Sequence, residues 1–265
     1  MVYQQVVHLP DFWLPVIGFV IGMLATMVGG SGAFFFPPAL ILLFQVSPRV
    51  AVATSLAAAI PVGLVGSFGH YRHHNINLPV AIVFGVAGLS GALSGAWISG
   101  LMTPDTLISI FGIYTIVLGL LMLRVRKSPP PEDLIPPRRI RSMSPGQLAT
   151  MIFFGMASGL AAGLFGTSGT APVLAGLFLL RLPLRQVIGT SVLVVLINSA
   201  SGFGGHLVLG EINTRLILLL GSGATLGAFL GPMLVGRIHL EKKEAPIRYV
   251  YAILVIVLGI VLLFR

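Results

Sequence analysis

Ten apolar runs, at residues 12–28, 33–46, 50–71, 78–100 and 105–123 and again at 147–165, 170–180, 186–209, 214–236 and 246–264, dominate this chain of 265 residues. None carries an acidic residue in its interior: Asp11, Asp105, Glu132, Asp133, Glu211, Glu241 and Glu244 all fall at run ends or in the intervening loops. A bilayer core of about 30 Å takes about 20 helical residues per crossing, so the chain has material for about six to eight crossings. Lipid offers no partner to an unpaired backbone group, and the runs are therefore predicted to be helical. With 56% hydrophobic and 9% charged residues, too little polar surface remains to cover a water-soluble globule. The expected class is an all-α polytopic membrane protein.

A formal net charge of +9 would suggest nucleic acid as a partner in a soluble protein. Here most of the cations sit in loops bordering apolar runs, where basic residues fix membrane orientation. The charge is read as topology, with the lipid bilayer and not nucleic acid as the partner. Between the halves lies Arg124 to Pro145, with six basic and two acidic residues and the clusters Pro129-Pro130-Pro131 and Pro136-Pro137. This is a solvated linker, dividing the chain into a first membrane repeat (1–124), a linker (125–145) and a second repeat (146–265). Met1 to Asp11 lacks a basic stretch, and no cleavable signal peptide is expected. The absence of cysteine removes disulfides, thiolate nucleophiles and cysteine metal sites together, and no metal or cofactor is expected.

The chain repeats itself. A shift of 136 residues aligns Arg49 with Arg185, Thr54-Ser55 with Thr190-Ser191, Gly66 with Gly202, Gly69-His70 with Gly205-His206, Ile76-Asn77 with Ile212-Asn213, and Gly91-Ala92 with Gly227-Ala228. Upstream, a shift of 137 aligns Gly22 with Gly159, Gly29 with Gly166, and Ser31-Gly32 with Ser168-Gly169. Duplication of this kind is the usual ancestry of secondary transporters. In each half the second run is too short to cross, and Gly29-Gly30-Ser31-Gly32 or Gly166-Thr167-Ser168-Gly169 interrupts the first pair of runs. Two re-entrant pairs leave three crossings per half, an odd number, so the repeats are expected to be inverted. With the linker in the cytoplasm, this arrangement also keeps Arg72, Arg181, Arg185, Arg237, Lys242 and Lys243 inside, against Arg49, Arg215 and Arg265 as exceptions.

The two glycine breaks are the candidate binding site. Helices beginning near Ala33 and Thr170 would point partial positive ends and N–H donors toward a common space near the bilayer midplane, a setting that favours an anion. Thr54, Ser55, Thr190 and Ser191 lie about a turn and a half beyond Arg49 and Arg185, so arginine at the mouth with hydroxyls below forms a possible oxyanion funnel. Against this, such arginines snorkel to headgroups, and such hydroxyls bond their own helix. His70 and His206, each in a Gly-x-x-Gly-His pattern, are either carriers of a coupling proton or helix C-caps. Asn198 has no polar twin and either lends a donor to the site or bridges helices. No carboxylate is left within the membrane to carry a cation.

Gly29-Gly30-Ser31-Gly32 followed by Pro37, the segment from Arg49 to Leu56, and Gly66 to Asn77, with a fainter second copy from Gly159 to Asn213, resemble the TauE/SafE sulfite exporter family. The resemblance covers essentially the whole chain. It implies a transporter of the cytoplasmic membrane that moves small anions such as sulfite, sulfoacetate or related sulfonates, with the glycine loops and Thr-Ser helices lining the path. The second copy departs from a glycine-rich loop by reading Gly-Thr-Ser-Gly, so the two half-sites need not contribute equally. Two other classes share features with this reading. A passive anion channel shares nearly all of them. A rhomboid-like intramembrane protease shares the Gly-x-Ser-Gly pattern, but its serine and histidine must meet within about 3 Å.

Overall fold

The computed structural model describes residues 10–28, 34–124, 143–210, 212–235 and 244–264, and for 24–28, 231–235 and 244–251 the backbone course alone. All regular structure among them is helical: α1 (Leu14–Val28), α2 (Phe36–Leu43), α3 (Pro48–Arg72), α4 (Leu78–Leu101), α5 (Pro104–Arg124), α6 (Pro145–Phe165), α7 (Thr170–Leu179), α8 (Leu184–Leu209), α9 (Thr214–Val235) and α10 (Glu244–Leu263). Five of them, α3, α4, α5, α6 and α8, are long and apolar enough to cross a membrane. The short second runs fold as α2 and α7, of 8 and 10 residues, about 12 and 15 Å long and too short to cross.

Local chemistry sets the helix ends. Pro48 and Pro145 open α3 and α6, where the missing N–H costs no hydrogen bond. Ser144 and Gln147 close a capping box, the Gln147 N–H donating to Ser144 Oγ and the Ser144 N–H to Gln147 Oε1. Asn77 and Asn213, twins in the repeat, cap α4 and α9 alike by accepting the N–H groups of Val80 and Leu216.

The repeats interlock. The dominant packings pair α4 with α6 and α1 with α9, which are the same pairing under exchange of the halves; α3 packs on α8 and α5 on α10, each a helix against its own counterpart. Small residues make this possible. Along α4 and α6 the backbones approach so closely that a Cβ on Gly159 would overlap the Gly88 carbonyl, and one on Gly163 the Ala92 carbonyl. Gly22 against Ala224 and Gly227 against Phe19 repeat the motif between α1 and α9.

The facing residues also give directions. Gly63 meets Leu196, Gly66 meets Val192 and Gly189 meets Asn75, so α3 and α8 run antiparallel. Gly112 against Leu263 and Gly119 against Ile256 make α5 and α10 antiparallel as well, whereas α4 runs parallel to α6 and α1 to α9. One end of the molecule gathers the end of α3 and the starts of α4, α6 and α8. The opposite end gathers the starts of α3, α5 and α9 and the end of α8.

Candidate functional site

α6 is the key to the site, because its 21 residues reach about 31 Å. Its tip, Phe165 and Gly166, comes within a turn of the start of α3, where Gly166 packs on Val52 and on Pro37 of α2. The two broken pairs thus touch, at an apolar contact: a narrow cleft there is lined by Pro37, Ile41, Val52, Leu107, Phe111 and Phe165. The chain then doubles back. Gly166, Ser168 and Gly169 all have positive φ, at 69°, 57° and 66°, and Gly169 lies directly on the Ser158 carbonyl two turns back along α6. α7 consequently starts inside the protein, antiparallel to α6.

No side chain caps α7. Thr170 and Ala171 begin its first turn half-buried, and Pro172 contributes no N–H, so the polar groups there are two backbone donors and two hydroxyls. Ser168 Oγ donates to the Thr167 carbonyl at 2.6 Å and lies 3.1 Å from Thr170 Oγ1. Thr167 is buried, its hydroxyl directed at the Ala161 carbonyl. The equivalent loop of the first repeat, Gly29, Gly30, Ser31 and Gly32, lies outside the described residues.

The hydroxyls on the long helices divide. Ser55 donates to the Ala51 carbonyl and Ser191 to that of Ile188, the local back-bonding that competes with a site role. Thr190 instead accepts the Asn77 N–H at 2.9 Å, joining α8 to the start of α4, and Asn77 Nδ2 adds a 3.4 Å bond to Gln186 Oε1. Its twin Thr54 is fully buried with no partner for its hydroxyl, a state that costs about 1–3 kcal/mol.

Asn198 Nδ2 donates to Ser158 Oγ at 3.0 Å, and Ser158 Oγ donates on to the Gly155 carbonyl. Asn198 Oδ1 has no hydrogen-bond partner and fills the space a Cβ on Gly88 would take, so this residue bridges α8, α6 and α4. His206, buried, places Nε2 2.9 Å from the Gly163 carbonyl; since a carbonyl only accepts, Nε2 carries the hydrogen. His70, half-buried at the end of α3, makes no side-chain hydrogen bond among the described residues. The hydroxyl of Ser168 and the imidazole of His206 are therefore engaged with different carbonyls.

Arg49 Nη2 donates to the carbonyls of Gly100 and Met102, at 3.1 and 2.6 Å, and so ties the start of α3 to the end of α4. It also borders a cavity of about 460 Å³ shared with Ser47, Val50, Gly210, Ile212 and Asn213. Arg185 is exposed in the first turn of α8 and makes no hydrogen bond or ion pair among the described residues. Asp11 and Asp105 stand at helix starts, the former paired with Arg215 at 3.3 Å, and Glu244 opens α10; the other four acids lie outside the described residues. Among the described residues, no cluster of histidine and carboxylate groups could hold a metal ion. Sequence reasoning passed over Ser158, Asn77 and Gln186 as participants. For Asn77 the signal was present, since Asn77 and Asn213 align in the repeat.

The family model described as "Sulfite exporter TauE/SafE" matches residues 14–262. The chain is 26% identical to the "Probable membrane transporter protein YunE" of Bacillus subtilis, over 95% of this chain and 97% of that one. It is 28% identical to a "Probable membrane transporter protein" of Xylella fastidiosa (94% and 92% covered), and 26% identical to the "Probable membrane transporter protein MJ0441" of Methanocaldococcus jannaschii (73% and 71%). No solved structure matches.

Proposed function

The chain belongs to the TauE/SafE sulfite exporter family, and from that premise we propose that it is a secondary transporter exporting small oxyanions, sulfite and organosulfonates such as sulfoacetate, across the cytoplasmic membrane. Cargo binds between the repeats, which are inverted and rock in alternating access with a proton or the membrane potential as the coupled force. The antiparallel courses of α3 against α8 and of α5 against α10 support inversion, because a two-fold axis relating such pairs lies across the helices and thus in the membrane plane.

The observation that carries the anion reading is the start of α7. A helix end inside the protein, uncapped and half-buried, with Ser168 and Thr170 beside two backbone donors, offers negative cargo partial positive charge and hydrogen bonds without a full countercharge. Binding is then weak enough to reverse, as transport requires. In proteoliposomes, sulfite flux should saturate with concentration and respond to a proton or voltage gradient. Ser168→Leu, which fills the site with an apolar side chain, should lower that flux at least about tenfold, the loss of one charge-assisted hydrogen bond or more. If neither sulfite nor sulfoacetate binds or moves, the proposed cargo is wrong.

A further inference from the structure

Besides the Asn198–Ser158 bond, three polar ties fasten α4 and α6 to the central α3–α8 pair: Asn77 to Thr190, His206 to Gly163, and Arg49 to the end of α4. The repeat supplies a counterpart for the first two on the side of α1 and α9, and the same bonds are not made there among the described residues. Among the described residues, Thr54 is buried and unpartnered and His70 makes no side-chain bond, while the residues equivalent to the Arg49 acceptors lie outside the described residues. The difference is sharpest for the first tie, because Asn213 caps α9 just as Asn77 caps α4, yet its N–H does not reach Thr54. Instead Asn213 and Val50 line the cavity of about 460 Å³. Where one tie is made the cap and the hydroxyl meet; where its twin is missing the cap borders a cavity instead.

We propose that Asn77–Thr190 and Asn213–Thr54 are two latches that close in alternation on opposite ends of the molecule, and that this structure has the first closed and the second open. The proposal rests on the alternating-access reading above. A buried hydroxyl without a partner is a cost that persists only while the conformation leaves its donor out of reach, and closing the second latch removes it. Sequence sets the bias: Gln186, which adds a second bond to the closed latch, aligns with Val50, so the open latch has one bond to gain where the other has two. The cavity beside Val50 is then the open vestibule, on the end opposite the start of α6.

The chain has no cysteine, so Val50→Cys gives a single reporter thiol for a polar maleimide in nanodiscs, with no cargo present. Thr190→Val should shift the equilibrium toward closure of the second latch about threefold to tenfold, the worth of one hydrogen bond, and slow labelling accordingly. Gln186→Leu should act in the same direction, Thr190→Ser should restore parental labelling, and Thr54→Val should leave labelling as fast or faster. In a separate protein, a Thr54→Cys/Asn213→Cys pair should oxidise to a disulfide more completely when Thr190→Val is added. Labelling unchanged by both Thr190→Val and Gln186→Leu, or slowed equally by Thr54→Val, overturns the proposal. Because labelling needs no substrate, a failed sulfite assay leaves this result standing, and a failed labelling result leaves the cargo untouched.

Discussion

Gly169 shows how much a single missing methyl decides. Its φ of +66° suits glycine, and a Cβ there would run into the Ser158 carbonyl. Gly169→Ala should therefore destabilise the protein by at least about 2 kcal/mol and lower its melting temperature in detergent, combining left-handed strain with a backbone clash. Gly146→Ala is the control: nothing lies within 4 Å of its position, in the first turn of α6, and the same measurement should show no loss. The sequence announced residues 166–169 as a break through their composition, and the repeat located it. It did not announce that Ser168 would take a left-handed conformation or that the loop would fold back two turns, since both follow from where α6 ends. Thr54 and Thr190 illustrate the same limit. They are identical letters at equivalent positions, and only the packing around them separates a bonded hydroxyl from an unpartnered one.

At the scale of elements, the parallel pair α4–α6 is held by backbone proximity instead of large side chains. In lipid no hydrophobic force drives helices together, so close approach and dispersion must do so. Gly159→Val forces its side chain into the Gly88 carbonyl and should cost about 1–3 kcal/mol, with α4 and α6 losing contact. Trypsin sensitivity or a thermal melt reads this directly. Helix positions were largely legible in advance, because the apolar runs and the caps Asn77, Ser144 and Asn213 are local signals. Partner choice was not. The glycines of α4 and α6 advertise a close neighbour, but nothing local in them says that the neighbour lies in the other half.

For the whole molecule, that cross-pairing makes the two halves of the chain one folding unit. Each strongest contact of the first half, α1, α3, α4 and α5 alike, is with a helix of the second. Cutting the chain within 125–142 and expressing the halves apart should give two unstable fragments, while co-expression should give a complex that survives purification. Independent stability of either half would contradict the packing described. Charge at this scale is peripheral: the Arg215–Asp11 pair is solvent-exposed, and Asp11→Asn should change the melting behaviour by less than about 1 kcal/mol. The interlocking also sets a timetable for biosynthesis. At about 5–20 residues per second, a ribosome that has finished α1 at Val28 needs roughly ten to forty seconds more to deliver the start of α9 at Thr214. Through that interval the glycine face of α1 waits in the bilayer with no companion, and any factor that shields nascent helices has its longest task there.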